Sequence, residues 1–511
     1  MQVSVIFRHT NSGDNMSGQT SDYKNINFSG ILSHDVSFIE EIFKKDSVLR
    51  IKRIEQDGEK PLKCALIYMD GMVDSLQLNE AVIKPLLVMP QKAEPTTSAE
   101  YIATHYLFAR DTKITLDFGS AIEGLLYGEA ILLIDGITEA INIDAKGWRT
   151  RGIAEPENEK ILQGPREGFE EAALLNLAMI RRKLQTPDLC IESMRLGRRS
   201  GTLVFLCYLD SLAKPQLIET LKKRLKKIDI DGVLDSNYIV EELNEGRFKL
   251  FKTTGSTERP DTVAARLLEG RIAIVVDGTP VVITVPYLFS ENFQSDEDYY
   301  LNFAVSTTGR ILRYICFLLA VAVPALYIAL ITFHKDLLPT NLAIVISELR
   351  GGVPFSPLGE CLILIVAFEI LREAGIRMPQ SLGYTLSIVG GIVVGQAAVD
   401  ARIISTPMLI VIALSGIAGL VIPRLKGAIF YLRLIFVVLS SLFGLLGLLS
   451  GLFITVMHII SLSSFGTDYT VSLRRANYQS LKDTLFRAPW TKMKTRPDFN
   501  RNITRQKGKN R

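Results

Sequence analysis

Near-continuous apolar sequence is confined to one stretch of this chain, from Ile311 to Phe465, and about 300 mostly polar residues precede it. A helix needs roughly 20 consecutive apolar residues to cross a bilayer, and a soluble domain has no use for so many in a row. The partition predicts a large soluble head followed by membrane helices. Met1 to Ser29 are polar and rich in Asn, Ser and Gly, with no short apolar run and cleavage site to export the head, which is therefore expected on the cytoplasmic side. From Arg474 to Arg511, twelve Lys and Arg stand against Asp483 and Asp498, a net of +10 that also fits the cytoplasmic side. The whole chain carries +4, so everything before the tail sums to −6. A basic stretch just after a membrane segment meets anionic lipid head groups more simply than nucleic acid, and membrane lipid is the expected partner.

Catalytic chemistry is hard to place. The five cysteines are scattered without a CxxC pair, which indicates neither a disulfide framework nor a zinc site. His9, His34, His105, His334 and His458 show no metal-ligand spacing. No nucleophile elbow, HExxH or GxGxxG follows a suitable strand, so no catalytic residue, metal or cofactor is expected and the chain does not read as an enzyme.

The head carries a faint duplication. "ALIYMDGMVDSLQL" around Asp70 resembles "LVFLCYLDSLAKPQL" around Asp210, and "AILLIDGITEAINI" resembles "IAIVVDGTPVVITV" about 140 residues later. These are short β-branched runs, and Asp70-Gly71, Asp135-Gly136 and Asp277-Gly278 have the composition of tight hairpin turns. An amphipathic helix is predicted over Gln216 to Lys227, with Leu217, Leu221 and Leu225 on one face. A second is predicted within Gly164 to Leu184, with Glu167, Glu170 and Glu171 in its first turns and Arg181, Arg182 and Lys183 in its last. Asp261 is expected to cap a helix that Gly270 ends. Thr253 to Arg259 lacks the GxxxxGK[ST] pattern of a phosphate loop.

The apolar region divides at Ile311 to Thr332, Leu358 to Leu371, Leu382 to Val399, Ile403 to Ile422 and Ala428 to Ile460, with Asn341 to Leu349 too short to span. Glycines between Ser440 and Gly451 should break the last, long segment, which leaves five or six spans. An even count returns the basic tail to the side of the head. Glu360 and Glu369 flank the second apolar segment. In the third, Ser387, Gly391 and Gly395 form a small-residue stripe, with Gln396 and Asp400 one turn apart at its end. Two readings stay open: tight packing with the carboxylates at an interface, or a helix lining a pore in an oligomer, with Ile388, Val389 or Val393 as a hydrophobic gate.

Taken together the pattern is an α/β soluble head of two related subdomains followed by an α-helical multi-pass membrane domain. The expected division is a disordered polar N-terminus (1–30), first subdomain (31–155), second subdomain (156–298), membrane domain (299–465) and basic cytoplasmic tail (466–511).

"GPREGF", "NLAMIRRKL", "TGSTERPD", "LLEGRIAIVVDGTP", "VPYLFSENFQSDEDYY", "FEILREAGIRMPQ", "IVGGIVVGQAAVDARIISTPMLIVIA" and "SLSSFG" occur in that order. With these motifs the chain resembles the A subunit of the spore germinant receptors, the GerA family. The resemblance implies a subunit in the inner membrane of the spore that turns nutrient binding into ion release and germination. The implied partners are a permease-like B subunit and a lipoprotein C subunit, with assembly of the A subunit into a homo-oligomeric, nutrient-gated ion channel. A secondary-transporter or scaffold subunit is the alternative, although no inverted repeat is visible in the apolar part.

Overall fold

The computed structural model describes residues 22–56, 62–88, 98–147, 155–156, 159–244, 250–377, 395–470 and 483–496. The polar segment before residue 22 lies outside them. Two five-stranded sheets dominate the head. The first contains β1 (Leu49–Glu55), β2 (Lys63–Met69), β3 (Thr112–Thr115), β4 (Ala130–Ile134) and β5 (Ala140–Ile143) in the order β1-β2-β4-β5-β3. The second contains β6 (Leu189–Leu196), β7 (Thr202–Leu209), β8 (Gly255–Thr257), β9 (Ile272–Val276) and β10 (Val282–Val285) in the matching order β6-β7-β9-β10-β8. Every pairing is antiparallel. The duplicated sequences fall on equivalent strands, so that Cys64 faces Ile134 in one sheet and Val204 faces Val276 in the other.

Helices cover both faces of each sheet, which is why β4 and β9 are apolar at every position and buried throughout. On one face of the first sheet lie α1 (Leu32–Ile42) and α2 (Phe118–Leu126), whose Ile39 and Ile122 meet Ile67 and Met69. Cys64 and Leu66 alternate to the opposite face. In the second sheet, α3 (Ala173–Lys183) shares a core with β6, β7 and β9. Helices α4 (Pro215–Leu225) and α5 (Ser236–Leu243) cover the other side through Leu217, Leu221, Leu225 and Ile239, the expected face of the amphipathic segment. Helix α6 (Pro260–Leu268) completes the half on the α3 side.

Several local expectations change. Asp135-Gly136 and Asp277-Gly278 do turn hairpins, with Gly136 at φ 84° and Gly278 at φ 93°. Asp70-Gly71 leads instead into a short helix, Ser75–Leu78, because β2 pairs with β4 rather than with the segment that follows it. Helix α3 begins only at Ala173. The stretch before it is tied to the start of α6 by a Phe169 N–H donated to Glu258 O (2.8 Å). Glu167 therefore pairs with Arg182 and Lys183 at the far end of the helix, at 2.7 and 3.2 Å, instead of supporting its first turn.

Asp261 is not the cap of α6. Arg259 occupies that position without a side-chain cap, Pro260 opens the helix, and the Asp261 carboxylate accepts from Arg259 (2.8 Å) and from Tyr300. Gly270 does lie just past the helix end, with φ 77°. "GPREGF" and "ERPD" are joined directly, since fully buried Arg259 donates to Pro165 O at 2.7 Å.

The apolar region forms α7 (Phe303–Thr332), α8 (Thr340–Leu349), α9 (Pro357–Arg377), a helical stretch over 395–400, α10 (Thr406–Leu420), α11 (Lys426–Phe443) and α12 (Leu445–Ser461). Among the described residues two stretches are long and apolar enough to cross a membrane, Phe303–Thr332 and Pro423–Phe443. The long last segment breaks at Gly444, whose φ of 59° and ψ of −136° suit glycine. Gly447 is needed for closeness: a Cβ there would lie 2.0 Å from the Leu439 carbonyl oxygen. Gly447→Ala should therefore force the α11–α12 hairpin apart and lower stability by about 1–3 kcal/mol, read as a lower midpoint of thermal unfolding for the detergent-solubilised chain.

Candidate functional site: polar joints of the helical bundle

A proline decides the centre of the bundle. Pro324 inside α7 has no N–H, so the carbonyl of Ala320, four residues earlier, loses its helical partner. Two side chains from other helices replace it. Ser415 Oγ of α10 donates to Ala320 O at 2.8 Å, and Arg433 Nε of α11 donates to the same oxygen at 2.9 Å. Arg433 Nη2 also donates to Ser415 O at 3.0 Å. Three helices are thus tied at one buried point by a guanidinium whose hydrogen bonds, among the described residues, go to carbonyls. Composition exposes such a residue, a single cation inside the apolar run "YLRLIF", yet the sequence-derived set contains carboxylates and small residues and misses it.

A second joint holds Glu360, fully buried in the first turn of α9. Its carboxylate accepts from Arg350 Nη2 at 3.0 Å, from Ser405 Oγ at 2.6 Å and from Ser405 N at 3.2 Å. It thereby fastens the end of α8 and the start of α10 to α9. Glu369 pairs within its own helix with Arg372. Gln396 and Asp400 lie one turn apart as expected, with Gln396 Nε2 donating to Asp400 Oδ1 at 3.0 Å, and both are exposed. Gly395 passes close to Leu409 of α10. Ser387, Ile388, Val389, Gly391 and Val393 lie outside the described residues.

The third joint couples the head to the bundle. Buried Asp298, just before α7, accepts from Arg310 Nε and from Arg313 Nη1 and Nη2, all at 2.9 Å. Arg310 also donates to Asp483 of the tail at 2.8 Å. Burial, with the Asp483 carboxylate beside it, holds the Tyr299 hydroxyl well above the usual tyrosine range. Arg424, in the turn between α10 and α11, donates to the backbone oxygens of Glu291 (3.2 Å) and Gln294 (3.1 Å) and to Asp296 (3.2 Å). Glu291 in turn accepts from Arg271 at 2.6 Å. Desolvation alone would lower the Arg271 pKa, but Glu291 and Glu269 more than offset it and the net direction is up. Arg271, Glu291, Asp296, Tyr299 and Arg424 line a cavity of about 510 Å³ between α6, the segment before α7, the Arg424 turn and the tail residue Trp490. Its charged walls complete much of their pairing among themselves. Helix-start and turn patterns do not show this joint, because its partners are far apart in sequence.

The family model described as Bacillus/Clostridium GerA spore germination protein matches residues 37–499. This chain belongs to the GerA family. Spore germination protein KA of Bacillus subtilis (strain 168) is 40% identical over 89% of this chain and 83% of its own. Spore germination protein GerLA of Bacillus cereus is 34% identical over 86% of this chain and 89% of its own. The crystal structure of the N-terminal domain of the A subunit of the Bacillus megaterium spore germinant receptor GerK3 aligns with 98% of its length and 52% of this chain, at 31% identity and a TM-score of 0.41.

Proposed function

We propose that this chain is the A-type subunit of a nutrient germinant receptor in the inner membrane of the spore, with head and tail on the core side. It works with a permease-like B subunit and a lipoprotein C subunit, and an oligomer of it conducts ions when nutrient binds. The observation that carries the reading is the continuity of the polar joints. Asp298 ties the head to α7, Arg424 ties it to the α10–α11 turn, and Arg433 ties α7, α10 and α11 together. A displacement of the head is then passed to three helices at once.

Supporting an even number of crossings, the helix ends sort into two groups. Arg310, Arg424 and the Lys426–Glu373 pair (3.6 Å) mark the head end. The Glu360–Ser405 contact and His334, packed against Gly444, mark the far end. Glu373 stands at the head end and Ser405 at the far end. Helix α12 then returns to the head, where Phe465 joins the core of the second sheet.

For the pore, Gln396 and Asp400 supply exposed polar groups at the end of the glycine-bearing segment. The test is ion flux from vesicles holding the chain with its B and C subunits. Nutrient should release cations from vesicles with the unaltered chain, and Asp400→Asn should change the preference among cations through loss of a charged ring. Nutrient-independent flux, or flux untouched by substitution anywhere from Leu382 to Asp400, sinks the pore assignment.

A further inference from the structure

We infer that the tail segment 483–496 is an interfacial foot lying on an anionic phospholipid surface beside the first membrane helix; this rests on the membrane reading above. The segment is held in place by its polar groups. Asp483 O accepts from Arg310 (3.0 Å) and from Gln294 (2.6 Å), and Arg487 N donates to Thr307 Oγ1 at 3.3 Å. These contacts set its first residues against the first two turns of α7, and Arg496 Nε at its other end donates to Leu268 O of α6 at 2.7 Å. Met493 is buried, but Leu485, Phe486 and Trp490 are left 39, 55 and 53% exposed. Leu312, Ile315 and Leu318, three of the exposed apolar residues of α7, begin within about 10 Å of helix rise from Thr307. The foot therefore stands, along the helix axis, just before the level at which this exposed apolar run of α7 begins.

The charge has the matching sign. Lys492 and Lys494 are exposed, and the one acidic group of the segment, Asp483, is taken up by Arg310. Beyond residue 496 the chain adds five more basic residues against Asp498. Aromatic rings with lysines near them suit the boundary between head groups and acyl chains, where the ring is desolvated and the ammonium meets phosphate. A second copy or a protein partner would also cover the apolar residues but gives the lysines no reason to sit there.

Trp148 and Trp490 are the two tryptophans of the chain, so Trp148→Phe leaves Trp490 as the single emitter. The full chain is placed in phosphatidylcholine vesicles with and without about 30% phosphatidylglycerol, using brominated lipid as the quencher from within and iodide as the quencher from water. Brominated lipid should quench Trp490 strongly when phosphatidylglycerol is present. Lys492→Glu with Lys494→Glu should cut that quenching about twofold there and leave it unchanged in pure phosphatidylcholine. A reporter made by Leu318→Trp in a Trp148→Phe, Trp490→Phe background separates the two layers of the argument. Quenching at position 318 without quenching at 490 overturns the foot alone, and absence of quenching at both overturns the membrane reading. Protection of Trp490 from iodide without quenching by brominated lipid assigns the patch to protein and overturns the lipid occupant.

Discussion

Asp298→Ala is expected to uncouple the head from α7 and to lower stability by about 3–5 kcal/mol, the range for breaking a buried ion pair from one side. The size follows from what remains. Arg310 is fully buried and, among the described residues, keeps Asp483 as its one carboxylate partner, and Arg313 loses both of its hydrogen bonds to Asp298. Asp298 also accepts from Ser295 N at 3.2 Å, so the short turn leading into α7 is loosened as well. Asp298→Asn, which retains acceptor oxygen without the charge, should lose less. Denaturant titration of the solubilised chain measures both. Equal loss in the two variants would mean that packing, and not the uncompensated guanidinium, sets the cost. In spores, Asp298→Ala should weaken the nutrient response even where the chain still reaches the membrane, because displacement of the head no longer reaches α7.

The second large effect is expected at Glu291, where one carboxylate serves two buried guanidinium groups, Arg271 at 2.6 Å and Arg266 at 3.7 Å, and also accepts from Leu288 N at 2.7 Å. Glu291→Ala should again cost about 3–5 kcal/mol, since both cations stay inside with their charge. A double-mutant cycle with Arg271→Met isolates the pair. The double variant should be less destabilised than the sum of the singles, because the charge left behind by Glu291→Ala is removed with its carrier. Additive losses would show that the two groups do not depend on each other. The backbone of Glu291 also accepts from Arg424, so the same substitutions report on the link to the α10–α11 turn.

Sequence patterns were most readable where the signal is local. The matching strand orders were announced by two pairs of similar segments, and the hairpins at Gly136 and Gly278 by Asp-Gly dipeptides, since a turn depends on the residues within it. The same dipeptide misled at Gly71, where the partner of β2 lies more than 60 residues along the chain and the dipeptide has no say in that pairing. The glutamates of Gly164 to Leu184 look like helix-start charges, but backbone bonding to Glu258 holds the preceding stretch extended. In the apolar region, hydropathy located the described helices and the glycine break, while most of Leu382 to Val399 lies outside the described residues. It was silent on which polar groups meet.

The amino-acid sequence by itself determined the partition into head and apolar region, the duplication in the head, the GerA family and the break in the last long segment. Hydrophobicity, turn chemistry and ordered motifs are all properties of neighbouring residues, and they survive without knowledge of contacts. Only the tertiary structure decided that Asp298 serves Arg310 and Arg313, that Arg310 reaches Asp483 at a separation of 173 residues, and that the carbonyl freed by Pro324 is claimed by Ser415 and Arg433. A buried charge or an orphaned carbonyl must find a partner, but desolvation sets only the need. Which partner answers it depends on how helices distant in sequence are packed.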